Sequence, residues 1–338
     1  TVWFFLLIVR VISDDPVKRL LVFVALVITP SLLLFFGYVE SYPLMWGPIA
    51  GFLYFALRYL NSGNGMAGAA ICLLLATVAH LQALLFYPSF LYVLFSRGKS
   101  RELVMRFKLV AIFAGLAVLA VFGVLFYRQY TGNLYFENLF LWPFKGKPSA
   151  PGYAMFSPSH LRDILNEILL VSPLLPFLLV LSWSGFKKMF REPATAWLAV
   201  MSVPALLFLL VFDPSLSMPR DWDLFAICLL PITLLVVSVI PKRPLAAAAP
   251  LYVSVVIAAV LFTVPNLLVN LDRDRSIDQI KSIIDANPDK SMGTIAILGR
   301  HYHGEGDRAR SDSCESRMQQ LYPRLYQMRK ARQALSYR

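Results

Sequence analysis

The chain has 338 residues, of which 58% are hydrophobic and 15% are charged, and its mean hydropathy is +0.62. This composition excludes an ordinary soluble domain and is typical of a helical protein that crosses a membrane several times. The formal net charge of +12 does not indicate nucleic-acid binding, because basic residues gather in short segments beside apolar stretches, where they set topology and contact anionic lipid. We therefore expect the lipid bilayer, and no nucleic acid, as a partner.

Apolar stretches of about 20 residues predict the membrane spans. In chain order these stretches are 20–36, 43–60, 109–127, 165–183, 196–212, 224–240 and 246–266. The apolar stretch 66–96 is too long for one span and contains His80 and Gln82 in its middle. We interpret it as two short helices, 66–79 and 83–96, that meet in a polar turn.

The fold class that follows is all-α: a polytopic helical membrane protein with about nine to ten membrane segments and a small helical C-terminal tail. Residues 1–12 are apolar but too short for a span, which predicts that the chain begins inside a helix and that further N-terminal spans precede it. We expect residues 1–269 to form the transmembrane domain, with an outer loop at 128–163. Residues 270–338 are expected to form the tail.

The tail has a different composition from the rest of the chain. Apolar residues at helical spacing follow Ser276, which we expect to cap that helix. Residues 298–307 resemble the first helix and turn of a tetratricopeptide-type repeat. The tail is therefore predicted to be a small helical cap that packs on the membrane domain.

Lysine and arginine residues near the ends of the spans predict the orientation. The residues expected in the cytoplasm are Lys18, Arg19, Arg58, Arg97, Lys99, Arg101, Arg106, Lys108, Lys187, Lys188, Arg191, Lys242 and Arg243. The opposite face then receives His80, the 128–163 loop, the 213–223 turn and the tail. We expect a multi-pass protein of the bacterial inner membrane, with its active face and its tail outside the cytoplasm.

The turn between the stretches 196–212 and 224–240 carries the clearest functional signal. This turn contains the consecutive residues Arg220, Asp221, Trp222 and Asp223. Charged groups at a hydrocarbon boundary are energetically costly unless they form ion pairs or bind a substrate or an ion. A guanidinium is a natural partner for phosphate, so Arg220 and Trp222 are expected to bind substrate. Asp221 is also well placed to cap the helix that follows, which would explain one of the two aspartates.

Other candidates lie on the same expected face. They are Glu40, Tyr42, His80, Lys145, Lys147 and His160. Each has a plainer alternative role: interfacial tyrosines beside a solvated glutamate, a structural histidine, or a merely solvated loop. Ser157 is expected to cap a helix that contains Asp163 in its first turn.

These motifs together resemble a known family. The order of elements from residue 20 to residue 265 is similar to that of the GT-C-type polytopic glycosyltransferases, which include protein mannosyltransferases and bacterial lipid-sugar transferases. The segment 40–43 resembles the Glu-x-x-Tyr-like segment that opens a span on the outer face of that family. The segment 77–80 resembles its Thr-His element, with two residues inserted, and the segment 220–223 resembles the entry to a late span.

The resemblance implies transfer of a sugar from a polyprenyl-phosphate carrier to an extracytoplasmic acceptor, with a lipid-linked sugar donor as the partner. A carboxylate would act as the general base, for which Asp221, Asp223 and Glu40 are the candidates. Positive or polar groups would stabilise the leaving phosphate and bind the sugar. The candidates are Arg220, His80, Tyr42, Trp222, Lys145, Lys147 and His160.

The resemblance leaves three points open. The main catalytic acid of the family usually lies in a first outer loop, so we expect the chain to be a fragment that lacks its N-terminal spans. The cofactor is not determined, and a divalent cation is one possibility. The alternatives to an enzyme are a transporter, which interrupted hairpins would mark, and a non-catalytic membrane anchor for the helical tail.

Overall fold

The computed structural model of the protein describes residues 1–35, 42–96, 124, 127, 140–146, 152–213, 218, 220–241, 245–286, 288, 291–323 and 326–327. Within these residues every regular element is helical, and strand-like pairing is confined to a single bridge between Phe140 and Phe212. This confirms the all-α class for the described part of the chain. Glu40, Lys147 and almost all of the expected span 109–127 lie outside the described residues.

The described residues between 1 and 96 include five α-helices. They are α1 (Val2–Ile12), α2 (Pro16–Val27), α3 (Tyr42–Ser62), α4 (Met66–Ala79) and α5 (Tyr87–Phe95). The Asp15 carboxylate caps α2 by accepting a hydrogen bond from the Val17 N–H at 2.9 Å. The expected span 20–36 is not continuous, because α2 ends at Val27 and a 3₁₀ helix follows over Pro30–Phe35. Proline disfavours the helical conformation in the residue before it.

The polar break in the stretch 66–96 occurs where the sequence predicts it. Helix α4 ends at Ala79, His80 is extended, and a 3₁₀ turn over Leu81–Phe86 leads into α5. The Thr77 hydroxyl contacts the Tyr87 hydroxyl at 3.3 Å across this break. The chain therefore bends sharply at His80.

The described residues between 152 and 271 include five further α-helices. They are α6 (Pro158–Val171), α7 (Leu175–Ser182), α8 (Pro193–Val211), α9 (Trp222–Ser238) and α10 (Leu245–Leu271). Ser157 caps α6, as expected, by accepting a hydrogen bond from the His160 N–H. The expected span 165–183 is wrong as a straight helix, because α6 and α7 meet at 93°. Pro173 explains the break, since it disfavours a helical conformation at Ser172.

Two of the described helices are long and apolar enough to cross a membrane. They are α8 and the Tyr252–Leu271 part of α10, and the bent pair of α6 and α7 makes a third if it counts as one span. Helices α1, α4 and α9 and the segment Leu81–Phe95 are apolar but shorter. The described part of the chain is therefore helical and contains helices that could span a membrane.

Helix α9 lies at the centre of the membrane domain. It packs against α2, α6, α7 and α8, and its consecutive residues from Phe225 to Val237 are all buried. Such burial on every side is typical of a helix enclosed by other helices. The helices that pack around α9 therefore determine the position of the turn that precedes it.

The described part of the tail includes three α-helices that share a small core. They are α11 (Arg273–Ala286), α12 (Met292–Gly304) and α13 (Arg308–Leu321). Helices α12 and α13 pack against each other across a turn in which Gly306 has a φ of 79°. The expected cap at Ser276 is wrong: α11 begins earlier, and Asp272 accepts the hydrogen bond from the Arg275 N–H at 3.0 Å.

Candidate functional site

The Arg220–Asp223 turn forms the start of α9. Asp223 is buried, and its Oδ1 accepts a hydrogen bond from the Leu224 N–H at 3.0 Å. Asp221 is the N-cap residue by position, but its side chain makes no capping hydrogen bond. The expectation that the Asp221 carboxylate caps the helix is therefore wrong. At this helix start it is the Asp223 carboxylate that accepts a hydrogen bond from a backbone N–H.

The polar break at His80 packs directly on this turn. The Gln82 side chain donates from Nε2 to the Leu224 carbonyl, and His80 interacts electrostatically with Asp223. The Tyr42 ring lies 4.7 Å from the His80 ring, between centroids. The structure thus brings three of the candidate residues, Tyr42, His80 and Asp223, to the same end of α9.

The environment of His80 affects its protonation. His80 lies between the apolar helices α4 and α5, outside both, and burial lowers the pKa of its imidazole from the ordinary value. The Asp223 carboxylate opposes this change. A neutral His80 keeps one ring nitrogen as an acceptor, and its Nδ1 accepts a hydrogen bond from the Gln82 N–H at 3.2 Å.

Arg220 connects the turn to the tail. Its Nη1 donates to the Thr294 hydroxyl and its Nη2 to the Ser291 hydroxyl, each at 2.7 Å. Burial lowers the pKa of the guanidinium, while Tyr322 and Asp221 oppose that change. The start of α12 therefore covers this side of the turn, and a phosphate at Arg220 would share the guanidinium with two hydroxyl groups.

His160 lies in a buried network between α6 and α8. Its Nε2 lies 2.9 Å from the Leu210 carbonyl and its Nδ1 lies 3.1 Å from the Tyr153 hydroxyl, which also donates to Asp163 at 2.9 Å. Burial and the Asp163 carboxylate raise the pKa of Tyr153 well above its ordinary range. Because both ring nitrogens of His160 are engaged, this placement favours the structural role over substrate binding.

The two remaining candidates differ in exposure. Lys145 is exposed in the described segment 140–146, while Trp222 is half-buried and packs against the main core. The indole of Trp222 thus adjoins the buried part of the turn, and Lys145 faces outward from the fold. Neither placement by itself shows contact with a substrate.

Sequence reasoning missed Glu167. His160, Asp163 and Glu167 recur at helical spacing and are the buried polar residues of α6. Glu167 is 1% exposed and interacts electrostatically with Asp223, Asp221 and Asp163. The signal was an acidic residue within a predicted apolar span, which is costly unless it has a function.

The described residues do not form a metal site. Among them, no group of three or more His, Cys, Asp or Glu side chains is arranged to hold a metal ion. They do provide hydrogen-bond acceptors, namely the carboxylate oxygens of α6 and α9 and the amide oxygen of Gln82. The Arg220 guanidinium lies in the turn before α9. Acceptors of this kind bind hydroxyl groups, and a guanidinium binds phosphate.

No protein-family model matches the chain, and neither a curated protein nor a solved structure matches it. The resemblance to GT-C-type enzymes therefore stays a prediction from the short motifs at 40–43, 77–80 and 220–223 and from the order of the apolar stretches.

Proposed function

We propose that this protein is a multi-pass membrane glycosyltransferase that moves a sugar from a polyprenyl-phosphate carrier to an extracytoplasmic acceptor. The observation that carries the proposal is the meeting of Tyr42, His80 and Asp223 at the end of α9 that Arg220 precedes. Acidic, aromatic and guanidinium groups at one end of a membrane helix supply the interactions that a sugar phosphate requires.

The chemistry assigns a role to each group. A carboxylate, for which Asp223 is the first candidate, removes the proton from the acceptor hydroxyl as the acceptor oxygen bonds to the anomeric carbon. The bond from that carbon to the phosphate oxygen breaks, and its electron pair leaves with the polyprenyl phosphate. Arg220 stabilises the negative charge that develops on the leaving phosphate.

The proposal includes the topology predicted from the sequence: about nine to ten membrane segments in a bacterial inner membrane, with the site and the tail outside the cytoplasm. One contact supports the orientation. The Lys18 ammonium donates to the carbonyls of Ser238 and Ile240, at the end of α9 opposite the site. Lys18 and the segment after Ile240 were both expected in the cytoplasm, so their meeting agrees with the charge rule.

A transporter is the second candidate, and one observation favours it. Helices α6 and α7 form a broken pair with a 93° bend, and Glu167 lies buried in α6 before that bend. Discontinuous helices with buried polar groups are typical of the substrate sites of transporters. The two candidates differ in whether a covalent bond to the sugar is broken.

The test is a transfer assay on the full-length protein in liposomes with a labelled polyprenyl-phosphate hexose. We expect wild-type protein to release polyprenyl phosphate and to label the acceptor, and Asp223→Asn to lower the rate by about 100-fold or more. The matched control is Glu192→Gln, since Glu192 is exposed and precedes α8. Movement of the intact lipid-linked sugar across the membrane, without its cleavage, would favour the transporter instead.

A further inference from the structure

Glu167 has the least compensated environment of the buried acidic groups. Neither of its carboxylate oxygens has a hydrogen-bond partner within the described part of the chain, although the residue is 1% exposed. Its charged neighbours are Asp223, Asp221 and Asp163, which are all acidic. These neighbours raise the cost of burying the carboxylate, so the fold alone gives no reason for its presence.

A second buried acceptor lies in the same region. Gln82 donates from Nε2 to the Leu224 carbonyl, and because a carbonyl can only accept, this contact fixes the orientation of the amide. The amide oxygen of Gln82 is buried as well, and it has no hydrogen-bond partner among the described residues. Cys228 lies near both side chains: its Sγ accepts from Gln82 Nε2 at 3.6 Å, and Glu167 acts on it electrostatically.

The chemistry of these acceptors limits what they can bind. A ligand must supply hydrogen-bond donors and must not bring negative charge toward the surrounding carboxylates. A phosphate does not meet this requirement, and the described residues do not form a group that holds a metal ion. The hydroxyl groups of a sugar do meet it, because each hydroxyl can donate to a carboxylate or amide oxygen.

We propose that Glu167 and the amide oxygen of Gln82 bind hydroxyl groups of the sugar that the lipid phosphate carries, and that Glu167 determines specificity for that sugar. The assignment rests on the proposed function. Asp223 follows Arg220 by three residues in the turn at the start of α9, so a sugar whose phosphate contacts Arg220 extends toward Asp223, which interacts electrostatically with Glu167.

The first part of the test measures stability without ligand. Glu167→Gln keeps the shape of the side chain, removes the buried ionisable group and supplies N–H donors to the neighbouring acceptors, so we expect Tm to rise by about 2 °C or more. The matched control is Asp163→Asn on the same helix, since Asp163 accepts a hydrogen bond from Tyr153. This control is expected to lower Tm, and a Glu167→Gln variant that loses as much stability would overturn the assignment.

The second part measures binding by the shift in Tm of detergent-solubilised, full-length protein. The probes are a polyprenyl-phosphate hexose and the same polyprenyl phosphate without sugar. The Tm of the wild-type protein is expected to shift more with the sugar-bearing lipid than with the bare lipid. The Tm of Glu167→Gln is expected to shift equally with both lipids, by as much as the wild-type Tm shifts with the bare lipid.

The outcomes separate this assignment from the proposed function. If wild-type protein and Glu167→Gln show the same additional Tm shift with the sugar-bearing lipid, Glu167 does not bind the sugar, and its carboxyl group forms hydrogen bonds to water alone. The proposed function would still stand. If neither lipid shifts the wild-type protein, the result counts against the proposed function and against this assignment together.

Discussion

The Arg220 guanidinium donates from Nη2 to the hydroxyl of Ser291, 71 residues further along the chain, at 2.7 Å. This hydrogen bond joins the turn at the start of α9 to the residue that precedes α12. The Ser291 N–H in turn donates to the Tyr322 hydroxyl at 2.8 Å. The candidate site and the tail are therefore one connected structure at this point.

This connection allows two roles of Arg220 to be separated. Arg220→Ala is expected to lower sugar transfer, because charge on the leaving phosphate loses its partner. The double variant Ser291→Ala with Thr294→Ala removes the two hydroxyl partners and leaves the guanidinium in place, so transfer should be kept while protease cleavage of the tail increases. Equal loss of transfer in both proteins would show that Arg220 acts only by holding the tail.

The network around His160 predicts a loss of stability without a loss of chemistry. Tyr153→Phe removes the hydroxyl that contacts both Asp163 and His160, and leaving buried polar groups without a partner costs about 1–3 kcal/mol. Thermal unfolding should therefore occur at a lower temperature. Transfer per folded molecule should stay at the wild-type level, and a selective loss of turnover would instead assign this network to the reaction.

The environment of His80 predicts a dependence of stability on pH. Burial lowers the pKa of His80 in the folded protein, so between the folded and unfolded values the unfolded chain binds more protons. This contribution is complete above about pH 6.5, the unfolded value, and is lost as the pH falls through the folded value. Tm measured from pH 8 to pH 5 should fall less in His80→Gln than in the wild type, and matching profiles would contradict the idea.

The proposed orientation predicts selective labelling. In a variant without Cys72, Cys228 and Cys314, a cysteine at Gly146 should react with an impermeant maleimide added from outside, and a cysteine at Gly98 should react only after the membrane is opened. Gly146 lies in the described segment after Leu141, and Gly98 lies outside the described residues. Labelling of both without opening the membrane would refute the two-sided arrangement.

The contact between the segment after α7 and the end of α9 predicts an effect on packing. A Cβ at Gly185 would collide with the backbone carbonyl of Val239, so Gly185→Ala should destabilise the protein by about 1–3 kcal/mol. At Gly152 none of the described residues lies within 4 Å of an added Cβ. Gly152→Ala is therefore the control, and its unfolding temperature should match that of the wild type.

Elements governed by local chemistry could be predicted from the sequence. The break at His80 follows from polar residues within an apolar stretch, and the cap at Ser157 follows from a serine directly before a proline. The expectation that Asp163 lies in the first turn of that helix is wrong, because α6 begins at Pro158 and Asp163 falls in its second turn. The prediction for 165–183 failed because hydropathy counts apolar residues and takes no account of the backbone restriction that Pro173 places on Ser172.

The parts of the site that depend on long-range contacts could not be predicted in the same way. Nothing in the local sequence of Arg220 indicates Ser291 or Thr294 as its partners. Glu167 was passed over because it lies within a stretch apolar enough to be taken as a membrane span, and its significance depends on acidic neighbours that α9 contributes. The meeting of His80 with Asp223 likewise depends on how α4 and α9 are placed by the whole assembly.

The enclosure of α9 has a consequence for how such a protein can evolve. Helix α9 leads from the site and is buried on every side. A substitution in α9 that changes the shape of the site therefore also disturbs the packing of several neighbouring helices. Most of the Tyr252–Leu271 part of α10 is exposed and tolerates apolar exchanges far better. New substrate preferences should therefore arise first through α6 and the turn at residue 220, and a deep mutational scan should find α9 the least permissive helix of the chain.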